Sequence, residues 1–112
     1  MTATQVRDRL QTIGLECEDS EPVQFTYESV GEVDGVACDE EGVLIGTFST
    51  VEPSRELLDD FSEVLLVGPN WVVSIATSMS PVSPEAAQRE LGGSLVESEE
   101  DSKAYPESPA QR

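Results

Sequence analysis

The sequence predicts an α+β fold: a two-layer sandwich with helices packed on one face of a mostly antiparallel sheet. Two segments carry apolar residues at helical spacing, a third has helix start and stop signals, and shorter segments with strand-like patterns separate them. The order strand, helix, strand also occurs twice, over residues 43–67 and 71–96. Two such units joined by a tight turn are typical of a ferredoxin-like core, which is one candidate for the strand order. The predicted hairpin between residues 33–38 and 43–50 is evidence against this order. In a ferredoxin-like core the strand over residues 43–50 has other neighbours on both sides, and residues 33–38 would compete with them.

The first predicted element is a helix over residues 2–13. Its apolar residues recur at steps of three and four and so share one face: Ala3, Val6, Leu10 and Ile13. Gly14 suits the left-handed conformation that closes a helix. Residues 15–18 alternate after it and are expected to form a short strand.

Strands are predicted next at residues 23–27, 33–38 and 43–50. The first follows an acidic turn and is rich in β-favouring residues. The second and third are joined by residues 39–42, where Gly42 suits the positive φ angle of a hairpin loop. The third is almost continuously apolar in its first half, which predicts a central position in the sheet.

A second helix is predicted over residues 53–63, because Pro53 suits a first helical turn. Its apolar residues form one stripe: Leu57, Leu58, Phe61 and Val64. Residues 65–67 follow as a strand, and Gly68-Pro69-Asn70 turns the chain into a strand over residues 71–77.

The third helix is predicted to begin at Pro84, with Ser83 as its N-terminal cap, and to end at Gly92-Gly93. A short strand over residues 94–96 completes a single domain, residues 1–96. Residues 97–112 contain no aliphatic residue larger than alanine, so we expect them to form a disordered acidic tail.

The charge of the chain excludes several kinds of partner. The 112 residues include 23 Asp and Glu, 6 Lys and Arg and no His, for a net charge of −17. So few cations cannot supply the counterion release that drives direct nucleic-acid binding, and an anionic membrane would repel the chain. No apolar run approaches the ~18 residues of a membrane-spanning helix. The acids are concentrated in residues 14–63, which hold 15 of them beside Arg55.

Catalytic, metal and cofactor signals are weak, and we predict a protein that is not an enzyme and takes none of these groups. Without His, the commonest general base and metal ligand are missing. Adjacent acids such as Asp59-Asp60 and Glu40-Glu41 point in different directions and do not form a dyad. Residues 39–41 lack the spacing of a calcium loop, and the glycines lack the spacing and lysine of a phosphate loop.

The two cysteines, Cys17 and Cys38, allow two interpretations. Both lie at predicted strand ends flanked by polar residues, which favours a disulfide, whereas two reduced core thiols would suit a cytosolic protein. No neighbouring cation activates either thiol. Trp71, in the most distinctive local string, Gly68 to Val73, is interpreted as covering one end of the core rather than as a binding platform.

The order of these features resembles small secreted or lipoprotein-type domains of actinobacteria without an assigned function. The matching pieces span about residues 3–96: Ile13-Gly14-Leu15 before Cys17, the second cysteine at 38, Gly46-Thr47-Phe48, Gly68-Pro69-Asn70-Trp71-Val72-Val73 and Leu91-Gly92-Gly93. The resemblance implies a disulfide between Cys17 and Cys38 and carries over no catalytic residue. The start of this chain lacks the signal peptide and lipidation cysteine of such domains, which as written predicts a cytoplasmic protein, or an extracellular one if a leader was removed.

The function predicted is a non-enzymatic module that binds a basic partner protein through an acidic face. Ten acidic residues are the candidates for that face: Glu16, Glu18, Asp19, Glu21, Asp39, Glu40, Glu41, Glu56, Asp59 and Asp60. The alternative is a phage-type DNA mimic that blocks a nuclease or another DNA-binding protein. Such an inhibitor needs many carboxylates along one elongated surface, where a duplex carries phosphates.

Overall fold

One sheet of six strands organises the structure, a computed structural model that describes residues 2–18, 20–50, 52–61 and 63–105. The strands are β1 (Glu21–Tyr27), β2 (Gly31–Cys38), β3 (Val43–Thr47), β4 (Val64–Gly68), β5 (Trp71–Ile75) and β6 (Ser94–Val96). Their order across the sheet is β1-β2-β3-β5-β4-β6, and every neighbouring pair is antiparallel. The predicted α+β class and antiparallel sheet are confirmed.

The helices begin where side chains satisfy the free N–H groups of a first turn. They are α1 (Ala3–Gln11), α2 (Arg55–Asp59), α3 (Pro84–Leu91) and α4 (Glu99–Ser102). Thr2 and Gln5 form a reciprocal capping box at α1, while Ser54 and Ser83 accept backbone N–H groups at α2 and α3. None of the described helices is long and apolar enough to cross a membrane.

The strands predicted over residues 43–50 and 71–77 end earlier, at Thr47 and Ile75, and two other predicted elements differ more from the structure. The helix expected over residues 53–63 is confined to α2, because the N–H groups of Asp60 and Phe61 bond three residues back and end the helix. Residues 15–18 form no strand. The carbonyl of Cys17 in that segment accepts a hydrogen bond from the Gln11 side chain (3.2 Å) instead of joining a ladder.

The sheet contains two interleaved split β-α-β units, in which each pair of parallel strands has one strand of the other pair between them. β3 and β4 are parallel and lie on either side of β5, while β5 and β6 are parallel and lie on either side of β4. In a ferredoxin-like core the last strand would lie beside β3. Here β2 occupies that position, so β6 pairs with the outer edge of β4.

The centre of the sheet is buried on both faces. Leu66 and Val73 belong to a first core with α1 and α3, whereas their chain neighbours Leu65 and Val72 belong to a second core with α2. Because successive strand residues point to opposite faces, the two cores lie on opposite sides of the sheet. The expected packing of helices on one face therefore holds for α1 and α3, and α2 is a correction to it.

The C-terminal residues also require a correction. Residues 97–105, predicted to belong to the tail, pack against α2: Ser102 is buried and its hydroxyl donates to Asp59 Oδ1 (3.1 Å). The Arg55 guanidinium donates to the carbonyls of Lys103 (3.3 Å) and Tyr105 (3.2 Å), and the Tyr105 ring packs on the second core. The prediction weighed only aliphatic residues and missed this aromatic ring and these polar contacts. Residues 106–112 of the predicted tail lie outside the described residues.

Candidate interaction site

A disulfide joins Cys17, in the segment after α1, to Cys38, the last residue of β2. The Cα atoms are 5.4 Å apart, and both cysteines are buried in the first core. Of the two interpretations that the sequence leaves open, the structure supports the disulfide. It brings the acids on either side of Cys17 and the acids that follow Cys38 into one region of the molecule.

Four glutamates lie around one depression beside this disulfide, with a volume of about 390 Å³. We call it the acidic depression. Its described lining residues are Gln11, Leu15, Glu16, Glu18, Glu40 and Glu41. Glu16, Glu18 and Glu40 are exposed and Glu41 is half-buried, so their carboxylates remain accessible to a partner. The two contributing stretches are separated by more than 20 positions in the chain.

The wall that contains Glu40 and Glu41 is a single 3-10 turn, Asp39–Glu41, between β2 and β3. Gly42 ends this turn in the left-handed conformation (φ 65°), and its N–H donates to the Asp39 carbonyl (3.2 Å). The Gly42 carbonyl in turn accepts the N–H of Ala76 (2.8 Å) at the end of β5. The turn is thus anchored to the central part of the sheet.

The opposite wall, residues 15–18, is held by hydrogen bonds to α1, by the burial of two side chains and by the disulfide to β2. The Leu15 N–H donates to the Leu10 carbonyl (3.1 Å), and Arg7 donates to the hydroxyl of Ser20 (2.9 Å) just beyond this wall. The side chains of Leu15 and Cys17 are buried in the first core. Alternation of buried and exposed residues along this wall leaves Glu16 and Glu18 at the surface.

Cations are absent from the described lining of the acidic depression. The two arginines of α1 have other acidic partners: Arg7 pairs with Asp8 (3.0 Å), and Arg9 lies 4.0 Å from Glu90 of α3. Among the described residues, no group of three or more Cys, Asp and Glu side chains is placed to hold a metal ion. The depression therefore presents accessible negative charge.

Two further predicted residues lie at the same end of the sheet. Glu21 begins β1 opposite Ala37, next to the disulfide-bonded Cys38, and Asp39 begins the 3-10 turn. Both are exposed and neither lines the depression. Asp19, the remaining candidate of this region, lies outside the described residues.

The last three predicted residues, Glu56, Asp59 and Asp60, belong to α2 and its C-terminal end, on the opposite face of the sheet. The Tyr27 hydroxyl donates to Asp60 Oδ2 (2.5 Å), and Asp59 accepts from Ser102 as described above. Burial raises the pKa of Tyr27 well above its ordinary value, and the hydrogen bond to Asp60 and the negative charge of that carboxylate raise it further. These two aspartates attach α2 to β1 and α4, so the ten candidates do not form one face.

A second depression, of about 450 Å³, lies beside α2, and sequence reasoning missed it. Its described lining is Leu58, Asp59, Phe61, Glu63, Leu65, Val96, Glu97, Ser98 and Ser102. Two of these residues, Glu63 just before β4 and Glu97 just after β6, are brought together by the pairing of the two strands in the folded sheet. No local pattern in the sequence could have brought these two residues together.

Trp71 is buried, as the interpretation of a core residue expects, with 2% of its surface exposed. The indole ring lies so close to Gly68 that an added Cβ there would be 2.1 Å from Cζ2. Asn70, in the turn between them, adopts the left-handed conformation (φ 68°) and donates its side-chain amide to the Thr50 carbonyl (2.6 Å). The whole string is occupied by turn formation and packing.

Comparison of the chain with protein-family models, curated proteins and solved structures finds no match. The resemblance to actinobacterial secreted domains therefore stays a prediction.

Proposed function

We propose that the protein is a non-enzymatic interaction module whose acidic depression binds a basic segment of a partner protein. One observation carries the proposal: a disulfide brings two acidic stretches, distant in the sequence, to the walls of one depression. A lysine or arginine side chain entering it would meet several carboxylates at once.

The net charge of the chain supports the same partner chemistry. At −17, the chain attracts a basic protein from a distance and raises the rate of encounter, and this attraction weakens as salt is added. Glu21 and Asp39, at the same end of the sheet, extend the negative potential around the depression. Short-range pairing in the depression then supplies the specificity that overall charge lacks.

The alternative, a DNA mimic, requires carboxylates along one elongated surface. The described acidic residues are instead spread over several surfaces, among them the acidic depression, α2 on the opposite face, and β2, where the carboxylates of Glu32 and Asp34 accept from Gln24. No observation favours this alternative, so the proposal is confined to a basic protein partner.

The test is an NMR titration of the full chain with a short lysine-rich peptide. The largest amide shift changes are expected at residues 15–18 and 39–42, and the affinity should fall steadily as sodium chloride is raised. The variant removes the four carboxylates that line the depression: Glu16→Gln, Glu18→Gln, Glu40→Gln and Glu41→Gln. It should bind the peptide at least about tenfold more weakly, since each exposed ion pair contributes up to about 1 kcal/mol.

A matched control removes the same amount of charge elsewhere, from exposed acids in the β1–β2 turn, just before β4, in α3 and in α4. It carries Glu28→Gln, Glu63→Gln, Glu85→Gln and Glu100→Gln. Its affinity should change by less than about threefold, because only long-range attraction is reduced. Equal weakening in the two variants, or shift changes spread evenly over the chain, would show that the peptide senses net charge alone and would refute the proposal.

A further inference from the structure

We infer that the Cys17–Cys38 disulfide is a redox-sensitive tether: its reduction releases residues 15–18 from the sheet while the rest of the domain stays folded. We call residues 15–18 the linker. The release concerns conformation and does not depend on the proposed function. Its consequence, the loss of one wall of the acidic depression, deepens that proposal by making partner binding depend on the oxidised state.

The contacts of the linker are the first reason. It belongs to no strand, and within the described chain its hydrogen bonds run to α1: Leu15 to Leu10 and Gln11 to Cys17. The covalent bond to Cys38 is therefore its direct link to β2, supported by the burial of Leu15 and Cys17. In contrast, the opposite wall continues into β2 and β3, which pair with each other over five residues of each strand.

Electrostatic repulsion is the second reason. With the disulfide closed, Glu16 and Glu18 share one depression with Glu40 and Glu41, and the described lining contains no cation. Like charges at such a site repel one another, and repulsion between exposed groups is reduced by salt. The tether thus holds the linker in a position that its own charges oppose.

The redox step needs a dithiol reductant. One of its thiolates attacks a disulfide sulfur, so that the bond between Cys17 and Cys38 breaks, one cysteine leaves as a thiolate and the other forms a mixed disulfide with the reductant. The second thiolate then attacks the reductant's sulfur in the mixed disulfide and displaces the other cysteine. The two electrons come from the dithiol, which becomes a cyclic disulfide, and each cysteine sulfur ends as a thiol with one proton. Because Cys17 and Cys38 are 3% and 1% exposed, the attack requires a transient opening of the linker.

The experiment measures cleavage by a glutamate-specific protease in the full chain, oxidised and after reduction by dithiothreitol. Cleavage after Glu16 and Glu18 should accelerate at least about tenfold on reduction, since a released segment fits a protease far better than a tethered one. Glu28, exposed in the turn between β1 and β2, is the internal control and should change by less than about twofold. Unchanged cleavage in the linker refutes the tether, and equal acceleration at Glu28 shows general unfolding and refutes local release.

A variant without the disulfide repeats the test without reductant. Cys17→Ala with Cys38→Ala should show the fast linker cleavage of the reduced chain. Sodium chloride at about 1 M, where the screening length is near 3 Å, should slow that cleavage relative to Glu28. Glu40→Gln with Glu41→Gln should slow it as well, whereas Glu85→Gln with Glu100→Gln should not. If neither salt nor the first pair has an effect, repulsion plays no part and that step of the inference is overturned.

Binding of the lysine-rich peptide separates the two proposals. Faster linker cleavage with unchanged peptide affinity would confirm the tether and refute the depression as the binding site. Unchanged linker cleavage, with peptide binding still lost in the depression variant, would refute the tether and support the proposed function.

Discussion

The contact of Trp71 with Gly68 allows the effect of one substitution to be worked from distances. An alanine at position 68 would place its Cβ 2.1 Å from Cζ2 and 2.2 Å from Cε2 of the indole. Carbon atoms that are not bonded approach to about 3.5 Å, so the ring would have to move by about 1.4 Å. Trp71 is 2% exposed and packed in the first core, which leaves little room for that shift. We expect Gly68→Ala to lower the free energy of unfolding by about 2–3 kcal/mol, the upper part of the range for overpacking.

A double-mutant cycle isolates this contact. Urea unfolding followed by circular dichroism would be measured for the wild type, Gly68→Ala, Trp71→Leu and the double variant. Without the indole, Gly68→Ala should lower stability by less than about 1 kcal/mol, which gives a coupling well above the ~0.5 kcal/mol scatter of independent sites. Gly92→Ala is the control, because its Cβ enters open space at φ 79° and should cost the same in both backgrounds. Additive effects of Gly68→Ala and Trp71→Leu would refute the reasoning.

Two further predictions concern the tyrosines. Burial raises the pKa of Tyr27 and of Tyr105 above the ordinary value of 10, so above pH 10 the unfolded chain binds fewer protons than the folded one. The free energy of unfolding from urea titrations should then fall as pH rises beyond 10, by at most about 1.4 kcal/mol per pH unit for each tyrosine. Tyr27→Phe should flatten this dependence, and an unchanged slope would contradict the assignment. At neutral pH, Tyr105→Ala should lower the free energy of unfolding by about 1–2 kcal/mol, because the ring is only half-buried. The control is Lys103→Ala, at an exposed side chain, which should change the free energy of unfolding by less than about 0.5 kcal/mol. Equal changes in the two variants would show that the C-terminal residues contribute no packing.

Local sequence signals predicted the elements whose causes are themselves local. The capping serine Ser83 and Pro84 mark the start of α3, and Gly42 marks the turn before β3, because each acts within a few residues of its own position. The end of α2 had no such signal. After Asp59 the backbone hydrogen bonds run three residues back instead of four. The aspartates at this end also accept hydrogen bonds from Tyr27 and Ser102, which come from distant parts of the chain.

The candidate site divides in the same way. That the acids next to Cys17 and Cys38 come together follows from pairing the two cysteines, and composition placed both stretches among the candidates. That Asp59 and Asp60 belong elsewhere could not be predicted, since their charge and exposure match those of Glu40. What differs is the face of the sheet on which their element packs, and this is a property of strand order.

Strand order and the handedness of crossovers together explain that division. Connections between parallel strands of one sheet are almost always right-handed. The crossover from β3 through α2 to β4 and the crossover from β5 through α3 to β6 advance in the same direction across the sheet, but their strands run in opposite directions. Two right-handed crossovers of this kind place their helices on opposite faces, as observed. In a ferredoxin-like order the second crossover would advance the other way and both helices would share a face. The hairpin that places β2 beside β3 forces β6 to the far edge, and so it separates the acids of α2 from the acidic depression.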